Sequence, residues 1–257
     1  MALDPNRELI VCSDPEAVAR EGARRFSLHA AAAIQQHGRF SVALSGGSTP
    51  KRMYEVLAQE ARDSIDWDFV QFFWGDERFV PSTNAASNYH MTEVALLHAL
   101  ELQNGNIHRV RTELENADAA ALAYEHELMS FFSLAAGEFP RFDLILLGLG
   151  TNGHTASLFP YSKVLHENSR LVVADYVEEV KQSRITLTVP TINNARDILF
   201  LVTGADKASV VKEVLFGPTD TERLPAQLVH ANSGSSTWLL DRAAASQLPK
   251  DSFRILS

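Results

Sequence analysis

Apolar and small residues recur at Ala19, Gly22/Ala23, Phe26, Ala30 and Ala33/Ile34, the three-and-four spacing of one helical face, which predicts a helix over residues 14–36. Ser13 or Asp14 can cap it, Pro15 suits its first position, and Gly38 lies just past its end. Phe40-Ser41-Val42-Ala43-Leu44 then reads as a strand that breaks at Ser45-Gly46-Gly47-Ser48-Thr49-Pro50 and passes into a helix through about Gln59. The succession returns three times: Val70-Gln71-Phe72-Phe73-Trp74 ends at Gly75-Asp76-Glu77-Arg78, Leu144-Ile145-Leu146-Leu147 at Gly148, and Ile198-Leu199-Phe200-Leu201-Val202 at Thr203-Gly204. Residues 88–100 and 118–132 read as helices, 171–174 and 185–189 as further strands, and 237–240 as a strand-like run. Turn formers dominate 218–236, and no element is assigned there. Strands alternating with helices predict an α/β fold on a parallel sheet.

In such a sheet the carboxyl ends of the strands share one edge, and ligands bind in the crevice outside it. The polar motifs after the four strands are therefore expected to converge on one cleft. At 257 residues the chain is expected to form one domain spanning 1–257.

The charge narrows what that cleft serves. Twenty-three Lys+Arg against 32 Asp+Glu leave a formal charge of −9, which repels nucleic-acid backbones and anionic lipid heads. An anionic small molecule must then be held by a local cluster of donors. The single cysteine, Cys12, sits in an apolar run and reads as a small buried hydrophobe, and one thiol cannot form an internal disulfide. With no signal-peptide pattern in Met1–Glu8 and no apolar span of membrane length, the expectation is a soluble cytoplasmic protein.

Ser45-Gly46-Gly47-Ser48-Thr49-Pro50 leads from a strand into a helix, so free N–H groups, two hydroxyls and the positive end of the helix dipole face one point: a phosphate-sized anion site. An ordinary glycine turn with a serine cap would read the same. Lys51 and Arg52 occupy the first helical turn, where the dipole disfavours cations unless an anion compensates or both point to solvent. Asp76-Glu77-Arg78 stands at the mouth of the core, either for use in a site or as an Asp–Arg pair tying a loop; Ser87 or Asn88 can cap the helix that follows. Gly148-Leu149-Gly150-Thr151-Asn152-Gly153 matches the dinucleotide fingerprint, and Asp175 stands about where a ribose-binding acid would. The long helix that the fingerprint requires is blocked by Pro160, so the loop is read as presenting His154. Lys207, in the first turn after Thr203-Gly204-Ala205-Asp206, is a second phosphate contact or a local partner of Asp206. The other histidines show no zinc-ligand spacing, and no metal or cofactor is expected.

In order along the chain, Leu44–Pro50, Asp76-Glu77-Arg78 with Ser87-Asn88-Tyr89, Gly153-His154-Thr155-Ala156-Ser157-Leu158-Phe159-Pro160, Arg184-Ile185-Thr186-Leu187-Thr188 and Gly204-Ala205-Asp206-Lys207-Ala208 resemble the 6-phosphogluconolactonase family. The likeness extends to Leu224-Pro225-Ala226 and Trp238–Asp241. The resemblance implies a Rossmann-like α/β fold, a mostly parallel sheet flanked by helices, of the kind shared by glucosamine-6-phosphate deaminases, ribose-5-phosphate isomerases and CoA transferases. It also implies hydrolysis of 6-phospho-D-glucono-1,5-lactone to 6-phospho-D-gluconate, the second step of the oxidative pentose phosphate pathway. His154 would be the general base, Arg78 the oxyanion partner and Asp76 an orienting carboxylate. Ser45, Gly46, Gly47, Ser48, Thr49 and Lys207, with Arg184 and Asn152, would bind the substrate. The expected partner is the phosphorylated sugar lactone alone, with a monomer or weak homo-oligomer. The sister deaminases share most of these motifs, but Arg78 and Ser157-Leu158-Phe159-Pro160 follow the lactonase pattern. One position departs: Asn152 stands where lactonases usually carry Asp, and an amide cannot supply the charge that stabilises an imidazolium. That departure leaves a non-catalytic sugar-phosphate binder as a rival reading beside the deaminase.

Overall fold

The computed structural model describes residues 6–100, 102 and 104–256; of the N-terminal stretch read for a signal peptide, residues 1–5 lie outside them. The strands are β1 Arg7–Cys12, β2 Phe40–Leu44, β3 Val70–Trp74, β4 Asp76–Arg78, β5 Leu144–Leu147, β6 Val172–Val177, β7 Gln182–Leu187, β8 Asp197–Val202, β9 Ser235–Asp241 and β10 Arg254–Ile255. Seven of them form one sheet in the order β10-β1-β9-β8-β5-β2-β3, with every pair parallel. Both faces of this sheet are covered, so its strands must be apolar on both sides and read as continuous hydrophobic runs. Along β3, Phe72 and Trp74 pack into one core while Phe73 enters the other.

The helix Pro15–His37 forms where its pattern predicts. The Asp14 side chain accepts from the Ala17 N–H at 2.9 Å, Pro15 opens the helix, and Gly38 closes it with φ 79° while donating to the Ile34 carbonyl. Cys12 is buried, and burial pushes its thiol up to about 11, which makes it a packing residue.

The strand order reverses at the centre of the sheet. From β2 the chain moves outward to β3, and from β5 it moves the other way through β8 to β9, so the switch point lies between β2 and β5. The four strands whose ends carry the polar motifs, β8, β5, β2 and β3, are consecutive neighbours.

Several features differ from the sequence reading, among them strands at Arg7–Cys12 and Arg254–Ile255 and a helix that begins at Val189, inside the strand read over 185–189. Asp76–Arg78 is itself a strand, in a separate antiparallel sheet of order β4-β7-β6. Gly75 is the hinge between the sheets: its N–H donates to Leu44 of β2, and its carbonyl accepts from the Leu187 N–H. The run from Asn88 keeps its helical course, but Glu93–Leu97 winds as a π-helix turn between Asn88–Thr92 and His98–Leu100. Residues 218–236 carry a short 3-10 turn, Pro225–Leu228, and brace the His154 loop: the Ala226 N–H donates to the Gly153 carbonyl, and the Tyr161 N–H to that of Glu222.

Candidate active site

The helix Ser48–Glu60 starts with no side-chain cap and no acidic residue in its first turn, so its amino end is left for another anion. Tyr54 holds the loop from below: its hydroxyl accepts from the Ser45 N–H and donates to the Ser45 carbonyl. Thr49 and Thr203 share a hydroxyl hydrogen bond of 2.8 Å that ties the start of the helix after β2 to the loop after β8. A Cβ on Gly46 would overlap the Asn88 amide, so only glycine lets that side chain approach the loop.

A cavity of about 270 Å³ opens above this point, lined by Ser45–Pro50, Asp76, Arg78, His154 and Lys207. The four motifs therefore meet, as expected from the parallel sheet. A second compartment of about 210 Å³ lies beyond His154, sharing Asp76, Arg78, His154 and Ala156 and adding Asn152, Glu179 and Arg184. Arg184 thus stands with Arg78, its cross-strand partner, and not in the wall of the glycine-loop cavity. Like charges directly opposite across a strand pair repel. Burial and the neighbouring Arg78 hold the Arg184 pKa below its ordinary value. Both arginines carry a buried Nε with no hydrogen-bond partner. Of the five such orphaned atoms among the described residues, these two and Asn88 Oδ1 cluster at this site.

The three residues of β4 separate by role. Asp76 accepts from Ser157 Oγ at 2.6 Å and from Asn88 Nδ2 at 3.2 Å, and no ion pair joins it to Arg78 among the described residues. Glu77 is 1% exposed; it accepts from the N–H groups of Arg78, Asn88 and Tyr89 and from Ser87 Oγ, so it fixes the start of the next helix. Burial raises its pKa against those hydrogen bonds. Arg78 anchors one guanidinium nitrogen on the Ala86 carbonyl at 2.6 Å.

His154 stacks on Phe159 with ring centroids 4.3 Å apart, and its ring fills the space where a Cβ on Gly150 would lie. Asn152 Oδ1 sits 2.6 Å from His154 Nδ1 and also accepts from the His154 N–H at 3.2 Å. Nε2 has no protein partner among the described residues. Burial, the largest influence, drives the imidazole pKa down to about 4 against the carboxylates of Asp76 and Glu179, so the ring is neutral at pH 7.

The chain matches the family model described as glucosamine-6-phosphate isomerases/6-phosphogluconolactonase over residues 13–238. It belongs to this family. A 6-phosphogluconolactonase from Synechocystis sp. is 42% identical over 216 residues, covering 84% of this chain and 88% of the relative. The structure of 6-phosphogluconolactonase from Trypanosoma cruzi superposes with a TM-score of 0.86 at 32% identity, covering 96% of this chain and 98% of that one. A monomeric glucosamine-6-phosphate deaminase shares the fold, with a TM-score of 0.77 at 20% identity.

Within this isomerase/lactonase family chain, several sequence alternatives are decided by contacts. Arg52 is balanced by Glu16 and Glu55, at 2.7 and 3.0 Å. Ser87, not Asn88, caps the following helix, leaving Asn88 to hold Asp76. Lys207 lines the cavity and also lies 3.5 Å from Asp206, whose side chain is 64% exposed, so that pair is weak. Asp175 accepts from Ser162 Oγ and pairs with Lys163 at 3.7 Å. Sequence reasoning did not single out Glu179, and it read Asn88 only as a helix cap and motif residue and Thr203 only as the end of a strand run. Ser157 entered only as part of a motif, not as the partner of Asp76.

Proposed function

We propose that this chain hydrolyses 6-phospho-D-glucono-1,5-lactone to 6-phospho-D-gluconate. The observation that carries the reading is an imidazole whose Nδ1 is committed to Asn152, in the wall between an uncapped helix terminus and a pair of arginines. The substrate phosphate rests on Ser45, Gly46, Gly47, Ser48 and Thr49 with Lys207 beside it, and this remote dianion fixes the lactone carbonyl near His154. His154 Nε2 takes a proton from water as the oxygen attacks C1. The carbonyl electrons move onto an oxyanion facing Arg78, with Arg184 adding to the positive field at that end. Collapse breaks the C1–O5 bond, and the proton returns from His154 to the departing ring oxygen. Asp76, held by Ser157 and Asn88, orients the water or the Arg78 side of the site.

A monomer or weak homo-oligomer is the assembly we expect, and the single buried Cys12 suits a reducing, cytoplasmic location. The test is proton release from freshly generated lactone, because the compound also opens spontaneously. Enzyme at catalytic concentration should accelerate opening well above the buffer rate, without releasing ammonia from glucosamine 6-phosphate. A rate equal to background would refute the proposal.

A further inference from the structure

We infer that Glu179, at the tip of the β6–β7 hairpin, is a positioning residue that acts on His154 through the side-chain amide of Asn152. The inference rests on the hydrolase reading above. Asn152 Nδ2 donates to Glu179 Oε2 at 2.9 Å, and Asn152 Oδ1 accepts from both the backbone N–H and Nδ1 of His154.

Each link in this chain has one possible sense. An ionised carboxylate only accepts, so the Asn152 atom facing Glu179 is the NH₂ group; a backbone N–H only donates, so the atom facing His154 is the oxygen. An oxygen 2.6 Å from Nδ1 then requires Nδ1 to carry the ring proton. Nε2 is left as the lone-pair nitrogen, which is the form a general base needs. When Nε2 takes a proton in the transition state, the new positive charge is felt at Nδ1–H, then at the polarised amide, then at the Glu179 carboxylate. The amide thus relays a charge it cannot itself supply.

The hairpin is built to hold this group. Residues 178–181 close it, with Lys181 in the left-handed region at φ 48°, and Arg184 of the same β7 strand lines the same compartment. The charged groups that face His154 are Asp76 from β4, Glu179 from the hairpin, Arg184 from β7 and Lys207 from the segment after β8. The two carboxylates favour its protonated form and the two cations oppose it. Only Glu179 reaches the ring through a hydrogen-bonded relay. Its side chain is exposed, so its weight is that of one charge-assisted hydrogen bond partly screened by water.

The test is a double-mutant cycle with an NMR arm. Glu179→Ala should lower kcat about three- to tenfold with KM within about twofold, and should move the acid limb of kcat/KM to lower pH. Glu179→Gln keeps an acceptor oxygen, so it should preserve the His154 tautomer in ¹⁵N spectra while still moving the acid limb down. Asn152→Asp puts a carboxylate directly on Nδ1 and should move that limb up. In the Asn152→Asp background, Glu179→Ala should cost nothing or restore rate, because two facing carboxylates repel. Equal losses from Glu179→Ala in both backgrounds would overturn the inference, as would unchanged kcat, pH profile and ¹⁵N shifts in Glu179→Ala. If instead the parent fails to exceed spontaneous lactone opening, the proposed function fails, and the ¹⁵N spectra alone decide whether Glu179 sets the tautomer.

Discussion

Gly150 lies against the ring of His154, and its backbone needs no left-handed conformation, so alanine there is a purely local perturbation. Gly150→Ala should leave the thermal midpoint near that of the parent while pushing the imidazole off Asn152. Displacement of a base by about 1 Å costs up to about 10²-fold, so kcat should fall by one to two orders of magnitude with KM little changed. Unchanged kcat would mean that the ring position is not critical. The same histidine links pH to stability. Its imidazole takes up a proton near 6.5 in the unfolded chain but only near 4 in the folded one. Between those values the unfolded chain holds the extra proton, so this group's contribution to stability falls as pH drops from 6.5 towards 4. Urea midpoints should therefore decline from pH 7 to pH 5 more in the parent than in His154→Ala, and parallel declines would contradict the burial argument.

Among the elements, the 218–236 segment braces the loop that carries His154. Leu224 is 2% exposed and lies in the path of any side chain at Gly153. Leu224→Ala should destabilise the fold by about 2–4 kcal/mol and lower kcat by loosening the His154 turn, as read by denaturation and steady-state kinetics. This brace was illegible in the sequence because its contacts are backbone hydrogen bonds between distant turns, which leave no periodic pattern. The parallel strands were legible for the opposite reason: each is an apolar run ended by glycine or polar residues. β4 escaped because Asp76-Glu77-Arg78 has neither alternation nor apolar character and becomes a strand only by pairing with β7. Among site residues, the glycine loop, Asp76, Arg78, His154 and Lys207 stood out because each breaks a local rule, a charge or a bare helix end beside a core strand. Asn88 and Glu179 break none; their partners lie 12 and 27 positions away.

Over the whole molecule, a chain of charge −9 gathers Arg78, Arg184, Lys207 and an uncapped helix end at one edge of its sheet, beside the switch point between β2 and β5. An anion bound there stabilises the folded state by mass action, by about 2.7 kcal/mol at a hundredfold excess over Kd. The product 6-phosphogluconate should raise the thermal midpoint by several degrees, whereas gluconate, lacking the phosphate, should not. Equal shifts from the two would remove the phosphate from the recognition scheme. We propose His154 as the base between the glycine loop and the arginine pair, and steady-state hydrolysis of the lactone by His154→Ala measures that role. We predict a kcat lower by about 10²–10⁴-fold with KM within a few-fold of the parent; a kcat matching the parent would contradict the account.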